Sequence, residues 1–225
     1  MSEKLWQILL NALPQILKAG IQMTIPLTLL SFVTALVIAV IAALIQYAKV
    51  PVLKQIMQFY VWLIRGTPLL VQLMIIFYGL PMVGIHADPF WAAWAGFSFC
   101  EGAYMAEALR GCLEGVPEGQ KEAGLCVGMS FGQIMWHIVL PQAFRTAFPS
   151  LSNSLISLVK DTSLAANITV VEMFMTTQRI AGRTYQFFAL YIEVALVYLL
   201  FCTVISFIQH RVEKYLGRYD RKDGE

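Results

Sequence analysis

KEAGLCVGMSFGQIMWHIVLP, residues 121–141, is a short, capped and partly polar stretch in a chain otherwise rich in apolar runs. Its local chemistry predicts a helix, a turn and a second helix. Pro117 suits a first helical position, and Glu118 beside it places negative charge in the first turn, where it is favoured. Gly128 suits the left-handed residue that follows a helix end. Ser130 then caps a second helix, and Gln133 three residues later completes a capping box. Ile134, Met135, Ile138 and Val139 supply an apolar face, and Pro141 is expected to limit the helix. Such a pair can pack on its neighbours with one face and offer the other to a partner. On local physics alone, an ordinary loop fits the same residues.

The chain around this stretch belongs to a membrane. Of its 225 residues, 58% are hydrophobic and only 13% charged, with mean hydropathy +0.66. Soluble domains carry roughly 25% charged residues. A net charge of +2 gives no footprint for nucleic acid, and no such partner is expected. Cys100, Cys112, Cys126 and Cys202 are far apart, without a C-x-x-C pair, and His86, His137 and His210 have no second histidine at ligand spacing. Neither a disulfide framework nor a metal site is expected. Asn167-Ile168-Thr169 matches a glycosylation acceptor but sits at the end of a span and is read as chance.

Apolar runs place candidate spans at residues 21–47, 59–82, 90–109, 147–175 and 185–208, since a bilayer core of about 30 Å needs roughly 20 apolar residues. The second is interrupted by Arg65, Gly66 and Pro68, the third holds Glu101 and Glu107, and the fourth is the most polar. Residues 1–19 form a separate amphipathic segment with Leu5, Ile8, Leu9, Ala12, Leu13, Ile16 and Leu17 on one face. It reads as a helix along the membrane surface or packed on protein, and not as a cleaved signal. Residues 20–209 form the membrane domain and residues 210–225 a basic tail. Arg211, Lys214, Arg218, Arg221 and Lys222 of that tail orient the chain with its C-terminus inside. Five spans then put the N-terminus outside and the region of about 116–141 in the cytoplasm. Arg179 and Arg183 fall outside, against the trend.

At these residues the chain resembles the permease subunits of ATP-binding-cassette importers. The family's signature is E-A-A, three residues, Gly, nine residues, I-x-L-P. It is met by Glu122, Ala123, Gly128, Ile138, Leu140 and Pro141, with Gly124 in place of the second alanine. That swap costs about 1 kcal/mol of helix propensity but keeps the residue small. RGTPLLVQL (65–73), GAYMAEALRG (102–111), VPEGQKEA (116–123) and LPQAFRTAFPSLSNSLISLVKDTSL (140–164) narrow the likeness to permeases for polar amino acids, such as histidine, glutamate, glutamine, arginine and opines. The resemblance covers roughly residues 15–215. It implies an all-α membrane protein of the type I importer core, with five transmembrane helices and a cytoplasmic coupling helix. It also implies a second permease subunit, identical or related, two ATPase subunits and an extracytoplasmic substrate-binding protein. The place implied is the bacterial inner membrane, in contact with lipid and crossed several times. Glu122, Ala123, Gly128, Ile138 and Pro141 would then couple the chain to the ATPase. Glu122 is a polar contact or merely solvated, and Gly128 would let backbones approach closely.

No G-x-x-x-x-G-K-[ST] loop occurs, so no cofactor is expected on this chain, and ATP and magnesium belong to a partner. The chain is expected to be no enzyme. Polar residues inside the spans are candidates for the pathway, because burying them in a membrane is costly. Ser150, Ser154, Ser157 and Asp161 share one helical face. Asp161, with Thr162 and Ser163, would meet a substrate ammonium group, or Lys160 would neutralise it. Glu101 suits a cation or a salt bridge to Arg65. Arg65 and Gln72 flank the break in the second span, where freed carbonyls line a cavity or lie buried. Arg65 would hold a carboxylate or reach the interface. Tyr104 continues the inner face of the third span. The competing reading is an ion-coupled secondary amino-acid transporter with Asp161 and Glu101 as coupling sites. Such carriers often show internal repeats, and none is apparent here. A membrane-embedded enzyme lacks its constellation of reactive groups.

Overall fold

The computed structural model describes residues 3–216, and all regular structure among them is helical. Helix α1, Glu3–Tyr47, runs unbroken through the amphipathic segment and the first apolar run. One turn, Gly20–Thr24, is wound wide, and the Ile25 N–H reaches back to the Gly20 carbonyl. Residues 3–19 are therefore continuous with the first span. Ala12 and Ile16, at 1% and 0% exposure, pack with Met173, Ala181, Leu190, Val194 and Val197. Of the two readings of this segment, packing on protein is the one observed.

The second expected span is broken. Helix α2, Leu53–Arg65, ends at Gly66, and α3 starts again over Leu69–Val83. Pro68, extended at φ −66° and ψ 136°, offers no N–H and disfavours a helical Thr67. Helix α4, Pro89–Glu114, begins where Asp88 Oδ1 accepts the Phe90 N–H at 2.9 Å. Helix α5 is Glu118–Cys126 and α6 is Phe131–Ile168.

Pro141 does not limit α6. The helix passes through it because Met135–Val139 is wound with five-residue hydrogen bonding, the Leu140 N–H donating to the Met135 carbonyl. A wide turn relieves the clash that a proline ring makes with the carbonyl four residues back. The run over residues 147–175 is not one helix either. After Asp161 the helix tightens over Thr162–Ile168 and stops at Thr169, which is left-handed at φ 68°. Helix α7, Met173–Thr184, closes on a left-handed Tyr185, so α8 begins at Phe187 and extends to Leu216.

Among the described residues, two helices are long and apolar enough to cross a bilayer alone, Glu3–Tyr47 and Phe187–Tyr215. The pairs α2–α3 and α6–α7 pass the same test only together, each as a broken span or a re-entrant loop. The 26 residues of α4 suffice in length. They are less apolar because much of that helix faces protein, with Phe97, Ser98, Glu101, Ala103 and Ala106 buried.

The chain divides into two compact units. The first comprises the chain up to Val33, Thr67–Ser98 and Leu155–Ile208. Leu27, Leu73, Phe97, Leu158 and Ile168 centre its core, beside the cluster around Ile16. The second comprises Thr34–Gly66, Phe99–Ser154 and the chain from Gln209 onward. In it Ala35, Ala39 and Ala43 form a buried four-residue stripe, small enough for close helix packing. Leu109, Leu113, Leu140 and Ala143 complete the seam at Ala43. On the outer side of α1, Leu29, Val33, Val37 and Ile41 are exposed at the same four-residue spacing, a stripe suited to lipid.

Candidate functional site

The hairpin formed by α5 and the start of α6 lies in the second unit. Pro117 precedes α5 in an extended conformation at ψ 135°, so Glu118 and not Pro117 is its first helical residue. Gly128 is left-handed at φ +81°. No atom lies within 4 Å of where its Cβ would be, so it serves the turn and not a close approach within the chain. The capping box is complete. The Ser130 N–H donates to Gln133 Oε1 at 2.8 Å, and the Gln133 N–H donates to Ser130 Oγ at 3.4 Å.

Two contacts fix α5 to its surroundings. Lys121 Nζ lies 2.8 Å from Glu118 Oε1 and 5.1 Å from the centre of the Tyr47 ring. Its bond to Glu118, with Tyr47 second, raises its pKa above the ordinary lysine value. On the inner side only Gly124 of α5 is buried. A Cβ there would come within 2.9 Å of Ile134 Cγ1 and 3.1 Å of Ile138 Cδ1. The departure from alanine at this signature position thus has a steric reason. Outward, Glu122 and Ala123 are exposed. So are Leu125, Val127, Phe131 and Trp136, the last at 72%. Such an apolar group on a rigid hairpin marks a contact surface.

A cleft of about 710 Å³ in the same unit is lined by Arg65, Tyr104, Glu107, Arg110, Gln58 and Trp62, among others. Arg65 lies 5.5 Å from the Tyr104 ring centre and 3.9 Å from Glu107 Oε1. Arg110 forks between Glu107 at 2.6 Å and Glu114 at 2.7 Å. The ion pair of Arg65 is therefore with Glu107 and not Glu101. Glu101 is 7% exposed and does not line the cleft. Both signs of charge meet here, which suits a zwitterion.

Gln72, Ser157, Asp161, Thr162 and Ser163 lie in the first unit and Ser150 and Ser154 in the second, and none of them lines this cleft. Gln72 is buried, its Nε2 donating to the Thr67 carbonyl at 3.1 Å and to Thr67 Oγ1 at 2.9 Å, so it stabilises the α2–α3 break. Ser157 and Asp161 are half-buried. Thr162 is fully buried and donates to the Val159 carbonyl, while Ser163 donates to the Lys160 carbonyl, both at 2.7 Å. Those hydroxyls are engaged at the end of the regular helix. Ser163 and Lys160 line an apolar groove of about 600 Å³ with Tyr191 and Tyr198.

Two residues escaped the sequence reading. Glu172, at 0% exposure, caps α7 by accepting the Phe174 and Met175 N–H groups at 2.8 and 2.7 Å, and Tyr198 donates its hydroxyl to it at 2.6 Å. A lone acid before Met173 and Phe174 was the available signal. Arg110 was legible only as an arginine three residues after one glutamate and four before another. Arg211 and Lys214 of the basic tail lie on α8, while Arg218, Arg221 and Lys222 fall outside the described residues.

Residues 35–218, which include hairpin and cleft, match the family described as "Binding-protein-dependent transport system inner membrane component". The chain belongs to this family. This inner membrane component is 45% identical over 218 residues to the L-cystine transport system permease protein TcyB of Bacillus subtilis, covering 96% of the chain and 93% of the relative. It is 33% identical to the glutamine transport system permease protein GlnP of Escherichia coli, with 93% and 96% covered. Among solved structures it resembles an amino acid ABC transporter crystallised with histidines, at a TM-score of 0.88 and 27% identity, covering 96% of the chain and 100% of that chain. An inward-facing MetNI methionine ABC transporter, at 20% identity and a TM-score of 0.74 with 96% and 99% covered, shares the fold. The family favours a binding-protein-dependent importer over the ion-coupled reading.

Proposed function

We propose that the chain is the permease subunit of an ATP-driven importer for polar amino acids. It works beside a second permease subunit, identical or related, above two separate ATPase subunits, and receives substrate from an external binding protein. The family and the amino-acid permeases among its relatives support this reading. ATP and magnesium act in the partner, and this chain supplies path and coupling. The α1, α2–α3, α4, α6–α7 and α8 segments make five spans, with the N-terminus outside and the hairpin inside. Arg65 in the cleft takes the substrate carboxylate, with Tyr104 beside it, and Glu107 takes the ammonium group. Asp161, with Ser157, Ser163 and the buried Thr162, shapes a further stretch of the path, the buried Glu101 is a separate polar point in the second unit, and Gln72 holds the break.

The exposed apolar group of the hairpin carries the proposal. Glu122, Ala123 and the turn at Gly128 present it, and Gly124 against Ile134 and Ile138 ties it to α6. Lys121 ties the same helix to Tyr47 at the end of α1. A push on α5 thus reaches two membrane helices, with Pro141 sitting on the path into α6. The test is a complex carrying Leu125→Asp and Trp136→Asp. The permease should still insert, yet neither retain the ATPase nor import in proteoliposomes loaded with ATP. Undiminished co-purification and uptake in that variant would remove the basis of the proposal.

A further inference from the structure

A second cleft in the same unit, about 540 Å³, lies where α1 ends and α2 begins, bordered by α4 and the hairpin. Its two acids are engaged, Glu114 with Arg110 at 2.7 Å and Glu118 with Lys121 at 2.8 Å. Lys49 and Lys54 also line it, and among the described residues neither forms an ion pair. Gln46 is only 5% exposed, and its Nε2 has no hydrogen-bond partner. Helix α2 starts behind Val52 without a side-chain cap and has Lys54, not an acid, in its first turn. These two cations and the unused buried amide donor ask for an anion with several acceptor oxygens.

We infer that this cleft holds the phosphate of an anionic membrane lipid. Lys49 and Lys54 supply the counter-charge and Gln46 a hydrogen bond. A lipid is preferred to free phosphate because of the apolar side chains along the same helix. Leu53, Ile56, Phe59 and Leu63 are exposed at spacings of three and four residues, an apolar track for acyl chains leading away from Lys54. The inference depends only on the chain being embedded in a membrane and stands whether or not the amino-acid substrate is right.

The experiment is native mass spectrometry of the intact transporter released from bilayers of phosphatidylethanolamine with phosphatidylglycerol. The wild type should retain phosphatidylglycerol, and Lys49→Gln with Lys54→Gln should weaken retention about tenfold or more, as expected for two surface lysines at a lipid headgroup. Lys49→Arg with Lys54→Arg should restore it, and size-exclusion profiles check that each variant is folded. Equal retention by wild type and the glutamine variant would overturn the assignment. So would displacement of the lipid by millimolar inorganic phosphate, which would make this a free-phosphate site. Loss of the ATPase subunit with lipid retained would assign the lysines to a protein contact and also overturn it.

Discussion

Gly124 and Gly128 lie four residues apart and are glycine for different reasons. Gly124 has no room for a side chain, whereas Gly128 has room but a left-handed backbone. Gly124→Leu must displace Ile134 and Ile138, and overpacking of this kind costs roughly 1–3 kcal/mol. Gly128→Ala costs about 1–2 kcal/mol from its backbone alone. Thermal unfolding of the purified subunit should show both losses, and Gly124→Ala should show a smaller loss than Gly124→Leu, since its single Cβ still forces Ile134 and Ile138 to shift. The turn role of Gly128 was readable from the sequence, since a residue closing a helix is a local matter. The reason for Gly124 was not, because its neighbours come from the next helix. The same holds for Arg65, whose acid lies 42 positions along the chain at Glu107 and not at Glu101, the partner the sequence suggested. Arg110→Met should reduce uptake by about tenfold, with insertion intact, because it strips two carboxylates of a charge-assisted bond. Arg110→Lys should rescue only in part, as one ammonium cannot fork between them. Initial rates of uptake check both.

Elements declare their starts more clearly than their ends. The Ser130–Gln133 box forms as its spacing predicts, and Ser130→Ala should cost about 1 kcal/mol. Faster amide exchange over residues 131–134 would report it, while exchange in α4 should not change. The helix ends were hidden for physical reasons. Pro141 is normally a stop, but a wide turn ahead of it absorbs the ring. The fourth apolar run contains two helices because a buried carboxylate at Glu172 starts the second one. Hydropathy sees an apolar window and cannot see a backbone that breaks within it.

At the scale of the molecule, composition sufficed for a helical membrane protein, and the hairpin signature for its family. The fourth run is the most polar in sequence, whereas α4 reads as a clear span although its surface is largely buried, so that its residues answer to protein neighbours and not to lipid. The proposed orientation has a direct check. In a background without the four native cysteines, Val127→Cys should react with an impermeant maleimide only from the cytoplasmic side, and Ile85→Cys only from the outside. Both positions are well exposed. Labelling from the opposite sides would invert the topology.

Glu172 sets a condition on how the chain is made. Its carboxylate is sealed from solvent and receives the hydroxyl of Tyr198, 26 residues later in the chain. Until the ribosome has released that tyrosine, a nascent chain must carry the acid without its stopper. Products cut short between the two positions are thus incomplete at an internal joint.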